Sequence, residues 1–143
     1  MEKNYNDNYD ATFDELKGKT LTSIEGGVGS DTMIFTCKTG EKYQLHYYED
    51  CCAHCSVEEI HGDIEDIVGS KILLAEVVDN VGVPEEIQTA RDKQKAEDEF
   101  YYGPDSETWV FYKLATIKGS VTIRWYGTSN GYYSETATFE RLE

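Results

Sequence analysis

The sequence predicts one small α+β domain, predominantly β, built as an antiparallel sandwich or open-barrel-like sheet with one or two short helices. Eleven tyrosines, five phenylalanines and two tryptophans favour sheet, because flat and β-branched side chains pack well on a pleated surface. Short runs of alternating apolar and polar residues recur, bounded by glycine or asparagine turn signals. Long apolar helical stripes are absent, and 143 residues fit one domain with one buried core.

Residues 1–11 are polar and Asn/Asp-rich, and read as a flexible N-terminus ahead of a domain over 12–143. Phe13 and Leu16 stand three apart after Thr12 and before Gly18, which predicts one helical turn capped by Thr12. A strand follows over Thr20–Ser23 toward Ile24, broken by Gly26-Gly27-Val28-Gly29. Thr32–Cys37 and Lys42–Tyr48 are two more, joined as a hairpin through Lys38-Thr39-Gly40-Glu41. Ser56–His61 is ambiguous, since Ser56 and Glu59 match a capping box and Val57, Ile60, Ile64 and Ile67 a helical stripe. Gly62 interrupts that stripe, so a short strand and then helical turns over Asp63–Val68, ended by Gly69, are preferred. Lys71–Val78 is a nearly continuous apolar run and predicts a strand covered on both faces.

Residues 84–100 are charged and rich in helix formers, and read as a surface insertion, either loop or exposed helix. Thr108–Ile117 and Val121–Tyr126 are the clearest strands, with Lys118-Gly119 as their turn. Asn130-Gly131 is a strong hairpin signal and predicts that Tyr133–Phe139 returns antiparallel.

The formal charge of −15 repels phosphate backbones and anionic lipid, which argues against direct nucleic-acid or membrane binding and favours a protein partner with a basic surface. Plain solubility is the simpler use of such charge. Residues 51–100 hold thirteen acids against four bases, and 101–143 five against four, which locates the acidic face in the middle of the chain. The opening residues lack the basic head and apolar core of a secretory signal, and three of the four cysteines crowd into five residues. Both features fit reduced thiols in a cytoplasm better than a disulfide scaffold.

Tyr47-Tyr48-Glu49-Asp50-Cys51-Cys52, Glu59-Ile60-His61-Gly62-Asp63-Ile64, Val121-Thr122-Ile123-Arg124-Trp125-Tyr126-Gly127 and Ser129-Asn130-Gly131-Tyr132-Tyr133-Ser134 occur in this order. The set resembles a family of small uncharacterised bacteriophage and prophage proteins, known only as a domain of unknown function, from about Phe13 to Phe139. The resemblance carries over no catalytic residue. It implies a phage accessory protein acting in the bacterial host cytoplasm, where small acidic proteins include inhibitors of host defence such as anti-CRISPR proteins.

Among constellations that carry chemistry, Cys51, Cys52, His54 and Cys55 form a candidate zinc site around one CxxC; no second CxxC completes the usual tetrahedral set. Nearby acids would raise a thiol pKa, against redox catalysis, and buried thiols are the plain alternative. Gly26–Gly29 lacks the residues of a P-loop, and no catalytic set has recognisable context. The leading expectation is therefore a non-enzymatic DNA mimic without cofactor, whose Asp63, Glu65, Asp66, Glu85, Glu86, Glu97, Asp98 and Glu99 occupy a basic groove of a host defence protein. A nucleotide-binding sponge is the alternative, with Arg124, Trp125, Tyr126 and Trp109 as an aromatic pocket. A zinc-stabilised structural domain is the third.

Overall fold

The computed structural model describes residues 9–48, 53–79, 83–97, 106–129 and 136–142. Nine strands occur among them: β1 (Tyr9–Asp10), β2 (Leu21–Glu25), β3 (Thr32–Cys37), β4 (Lys42–His46), β5 (Ala53–His61), β6 (Leu74–Asp79), β7 (Ser106–Thr116), β8 (Gly119–Ser129) and β9 (Thr138–Arg141). Helix α1 spans Glu85–Glu97, and 3-10 turns occupy Phe13–Leu16 and Ile64–Asp66. Two antiparallel sheets result, ordered β1-β9-β4-β3-β2 and β5-β8-β7-β6, and neither closes into a barrel.

Alternation builds the sandwich. Met33, Phe35 and Cys37 of β3 and Tyr43 and Leu45 of β4 point inward from one sheet. Val57 of β5, Val110, Tyr112 and Leu114 of β7, and Val121, Ile123 and Trp125 of β8 meet them from the other, in one core. Phe13 plugs the space between: its ring lies edge-on to Phe35, Phe139 and Tyr112, at 6.1, 5.4 and 5.2 Å, and so touches both sheets. The cap expected at Thr12 is part of a capping box that holds it there, with the Thr12 amide donating to Glu15 Oε2 at 2.7 Å.

Two glycines fix how strands enter the sandwich. Gly26 (φ +101) and Gly62 (φ +106) each lie where a Cβ would sit 2.4 Å from a carbonyl oxygen, that of Thr32 and of Ser120 respectively. Both need positive φ and a bare Cα.

Four expectations are corrected. The strand at Ser56–His61 begins earlier, at Ala53, and so runs through Cys55. The segment read as covered on both faces is β6, the last strand of its sheet among the described residues, with Leu73, Leu74 and Val77 exposed. Gly119 pairs with Thr116, so the β7–β8 turn is Ile117-Lys118, one residue earlier than read. Finally, Thr138 and Phe139, the described end of the expected return over Tyr133–Phe139, lie in β9 of the other sheet, between β1 and β4, while Tyr133–Glu135 are outside the described residues. The Asn130-Gly131 turn lies outside the described residues. Tyr9–Asp10 already pairs with β9, ahead of the expected domain start at residue 12.

Candidate functional site

The densest set of polar and aromatic side chains covers the outer face of the four-stranded sheet. Strand alternation sends Trp109, Phe111 and Lys113 of β7 to that face, opposite Tyr126, Arg124 and Thr122 of β8. Trp125 points the other way, fully buried in the core, and its indole N–H finds no acceptor among the described residues. Of the four residues expected to form an aromatic pocket, three therefore share a face and Trp125 does not.

Arg124 is the centre of this face. Its Nη1 lies 2.6 Å from Glu86 Oε1 and its Nη2 3.1 Å from Glu59 Oε2. Its Nε lies 2.8 Å from Glu58 Oε1, in an ion contact whose direction is not that of a hydrogen bond. The same Glu58 oxygen accepts from Trp109 Nε1 at 3.2 Å. Adjacent strand residues ordinarily face opposite ways, so Glu58 and Glu59 should not share a partner. A register shift between Val57 and Glu59 resolves this: an extra residue in β5 turns both carboxylates toward Arg124. The loop before β3 clamps that shift, with Gly29 N–H donating to Val57 O and Val57 N–H to Ser30 O, each at 2.8 Å.

Helix α1 lies over the same face. Ile87 and Arg91, four apart, are its half-buried residues. Both Arg91 Nη atoms donate to the Glu107 carboxylate, and the guanidinium lies 5.6 Å from the centre of the Trp109 ring. Tyr126 Oη donates to Glu107 Oε2 at 2.7 Å. With Glu86 reaching Arg124, the helix is tied at two points.

The electrostatics follow. The Arg91 hydrogen bonds hold the Glu107 carboxyl below its usual range against the opposing effect of burial. Burial and then Glu107 push the Tyr126 phenol up to about 12. Burial works against the Arg124 charge, but Glu86, Glu58 and Glu59 outweigh it and raise its pKa. Glu86 is lowered by its own backbone N–H at the start of α1, then by Arg124. An anion arriving here meets four carboxylates and two guanidiniums already engaged by them. Beside Arg124 a depression of about 290 Å³ is lined also by His61, Lys113 and Phe111.

The acids singled out from the sequence fall into two places. Asp63 and Glu65 are exposed at the 3-10 turn, where Asp63 Oδ1 accepts from Glu65 N–H at 3.0 Å. Half-buried Asp66 sits against Gly119, and its carbonyl accepts from Thr116 Oγ1. Glu85 and Glu86 open α1 above Arg124, about 17 Å farther along β8 at the usual rise per residue. The side chain of Glu97, and Asp98 and Glu99 entirely, lie outside the described residues.

The cysteine cluster is divided by strand geometry. Cys55 is buried and His54 exposed, on opposite faces of β5; Cys51 and Cys52 lie outside the described residues. No group of three or more His, Cys, Asp or Glu suited to a metal ion occurs among the described residues. Cys37 is also buried, and burial, then Glu41, pushes its thiol pKa up.

Sequence reasoning missed Glu58, Arg91 and Glu107, because their partners come from distant segments. It also missed Glu140, 5% exposed on the outer face of the five-stranded sheet, which accepts from Gln44 Nε2 at 2.9 Å and Tyr48 Oη at 2.5 Å. Gln44 and Glu140 are register partners on β4 and β9, a pairing visible only once β9 is placed. Among the described residues no helix is long and apolar enough to cross a membrane.

Comparison with known proteins finds one family, described as a domain of unknown function (DUF7448), matching residues 14–139. No curated protein and no solved structure matches the chain.

Proposed function

We propose that the chain, which belongs to the DUF7448 family, is a non-enzymatic acidic protein that binds a partner with a basic surface. The observation that carries this reading is the treatment of its cations. Arg124 and Arg91 are consumed by Glu58, Glu59, Glu86 and Glu107, while 28 acids stand against 13 Lys and Arg in all. The surplus is negative and finds no counterpart within the chain, so a positively charged partner is its natural complement. Exposed Asp63, Glu65 and Glu85 are candidate contacts. The likeness to phage proteins makes a host defence protein with a nucleic-acid groove the partner class, and the bacterial cytoplasm the compartment.

The nucleotide-sponge alternative draws less support, since Arg124 offers a phosphate no open donor pair and Trp125 lies in the core. The immobilised protein, exposed to a bacterial lysate, is expected to retain nucleic-acid-binding proteins at low salt and release them as salt rises. Retention indifferent to salt, or of no nucleic-acid-binding protein, refutes the proposal.

A further inference from the structure

We infer that the outer face of the four-stranded sheet holds an arginine-recognition site, which the chain's own Arg91 occupies and which an arginine of a basic partner takes over as α1 lifts away. This rests on the reading of the protein as a binder of basic partners, and names the side chain it selects.

The site is built on the strands. Glu107 and Trp109 stand two apart on β7 and so share a face, and Trp109 is the register partner of Tyr126 on β8. Three contacts position these groups without help from α1. Tyr126 Oη donates to Glu107 Oε2 at 2.7 Å, the Trp109 and Tyr126 rings lie 4.9 Å apart, and Trp109 Nε1 donates to Glu58 Oε1 at 3.2 Å. A carboxylate offering both oxygens beside an indole ring suits a guanidinium, which brings two parallel N–H bonds and a flat cation to lie against the ring. Lysine, a point charge without a plane, satisfies less of it. Arg91 shows the fit: Nη1 donates to Glu107 Oε1, Nη2 lies 2.7 Å from Oε2, and the guanidinium carbon lies 5.6 Å from the centre of the Trp109 ring.

The present occupant sits on an element with little apolar anchorage. Of residues 85–96 of α1, only Ile87 and Arg91 are half-buried and the others are exposed. A helix seated on a core ordinarily carries an apolar stripe along its length; here an arginine takes much of that place. Thirteen residues are also marginal for a helix without such packing, so α1 belongs with elements that open locally at low free energy. While it is closed, the tethered Arg91 competes with any partner at an effective concentration on the order of millimolar. Once it opens, Glu107 loses its arginine and Glu58 and Glu59 stay behind with Arg124. The uncovered face is then negative and receives a cation rather than a phosphate.

The test uses the intact protein and two peptides of equal length and charge, one with arginine and one with lysine at every basic position. Binding is read by titration, and the state of α1 by amide hydrogen exchange over 85–97. The arginine peptide is expected to bind at least about tenfold more tightly and to speed exchange in α1. Arg91→Ala, which removes the internal competitor, is expected to tighten that peptide about tenfold. Glu107→Gln is expected to reduce its affinity to that of the lysine peptide, with circular dichroism confirming the fold; should this variant unfold, Arg91→Ala and the exchange of α1 decide alone. Affinity that Arg91→Ala leaves unchanged or weakens, or slower exchange in α1 on binding, overturns the arginine site. Equal binding of both peptides overturns it while leaving the acidic-binder reading standing, and binding of neither overturns it as well. Salt-dependent retention of basic proteins decides the broader reading separately.

Discussion

Glu107 illustrates how single side chains here act through distant partners. It accepts from Arg91 sixteen residues before it and from Tyr126 nineteen after it, and its side chain is only 14% exposed. Its folded pKa lies below the usual 4.5, so its stabilising contribution is complete above that value and is lost as pH falls through the lowered one. Glu107→Gln is expected to cost about 2 kcal/mol at neutral pH, the worth of hydrogen bonds to a charged group. It should also flatten the loss of stability below pH 4.5, as urea unfolding at several pH values would show. Phe13→Ala should cost more, about 3–5 kcal/mol, because its ring contacts both sheets and no neighbour can close the gap. Neither role could be read from composition: Phe13 was legible as the apolar side of a helical turn, but its place between the sheets was not.

At the scale of elements, local chemistry served well wherever a strand's partner follows it in sequence. The β3–β4 and β7–β8 hairpins and the capped Phe13–Leu16 turn were legible from alternation and turn residues. Legibility failed where the partner is remote: an apolar run gives the same signal for a central strand and for β6 at the end of its sheet, and Asn130-Gly131 suggested a return whose described end lies in another sheet. The bulge in β5 was invisible for a similar reason, being set by a loop some 28 residues earlier. Helix α1 has few apolar contacts and is fastened by side-chain charge. Replacing both Arg91 and Arg124 by Gln should loosen it, and trypsin should cut at Lys93 and Lys95 about fivefold faster, corresponding to roughly 1 kcal/mol of local stability. Gly62→Ala, by contrast, forces a Cβ onto the Ser120 carbonyl at positive φ and should lower global stability by about 3 kcal/mol or more.

For the whole molecule, the charge count was legible and its arrangement was not. Counting acids along the chain set an acidic middle against a neutral C-terminal third. In the fold the two meet at one cation, with Glu58, Glu59 and Glu86 of the middle gathered on Arg124 of the last third. The remaining surplus still strains the compact state through self-repulsion. Salt should therefore have opposite effects at two scales: moderate salt raises the melting temperature of the whole domain by screening that repulsion, while α1 becomes more susceptible to protease as its ion pairs weaken. Calorimetry and timed proteolysis on the same salt series would check both signs. A melting temperature that falls in parallel with helix release would refute the repulsion argument.

The seat of β9 between β1 and β4 sets an order of events at the ribosome. Residues 53–129 supply all four strands of one sheet without a break, so that half can assemble as soon as it emerges. The other half waits. Tyr43–His46 and Tyr9–Asp10 are separated by a slot that only Thr138–Arg141 fills, and a nascent chain halted before residue 138 leaves Phe35 and Tyr43 without the Phe139 ring that packs on both. Tyr9–Asp10 and Tyr43–His46 are therefore joined only once Thr138–Arg141 has been made, so the five-stranded sheet is completed after the four-stranded one.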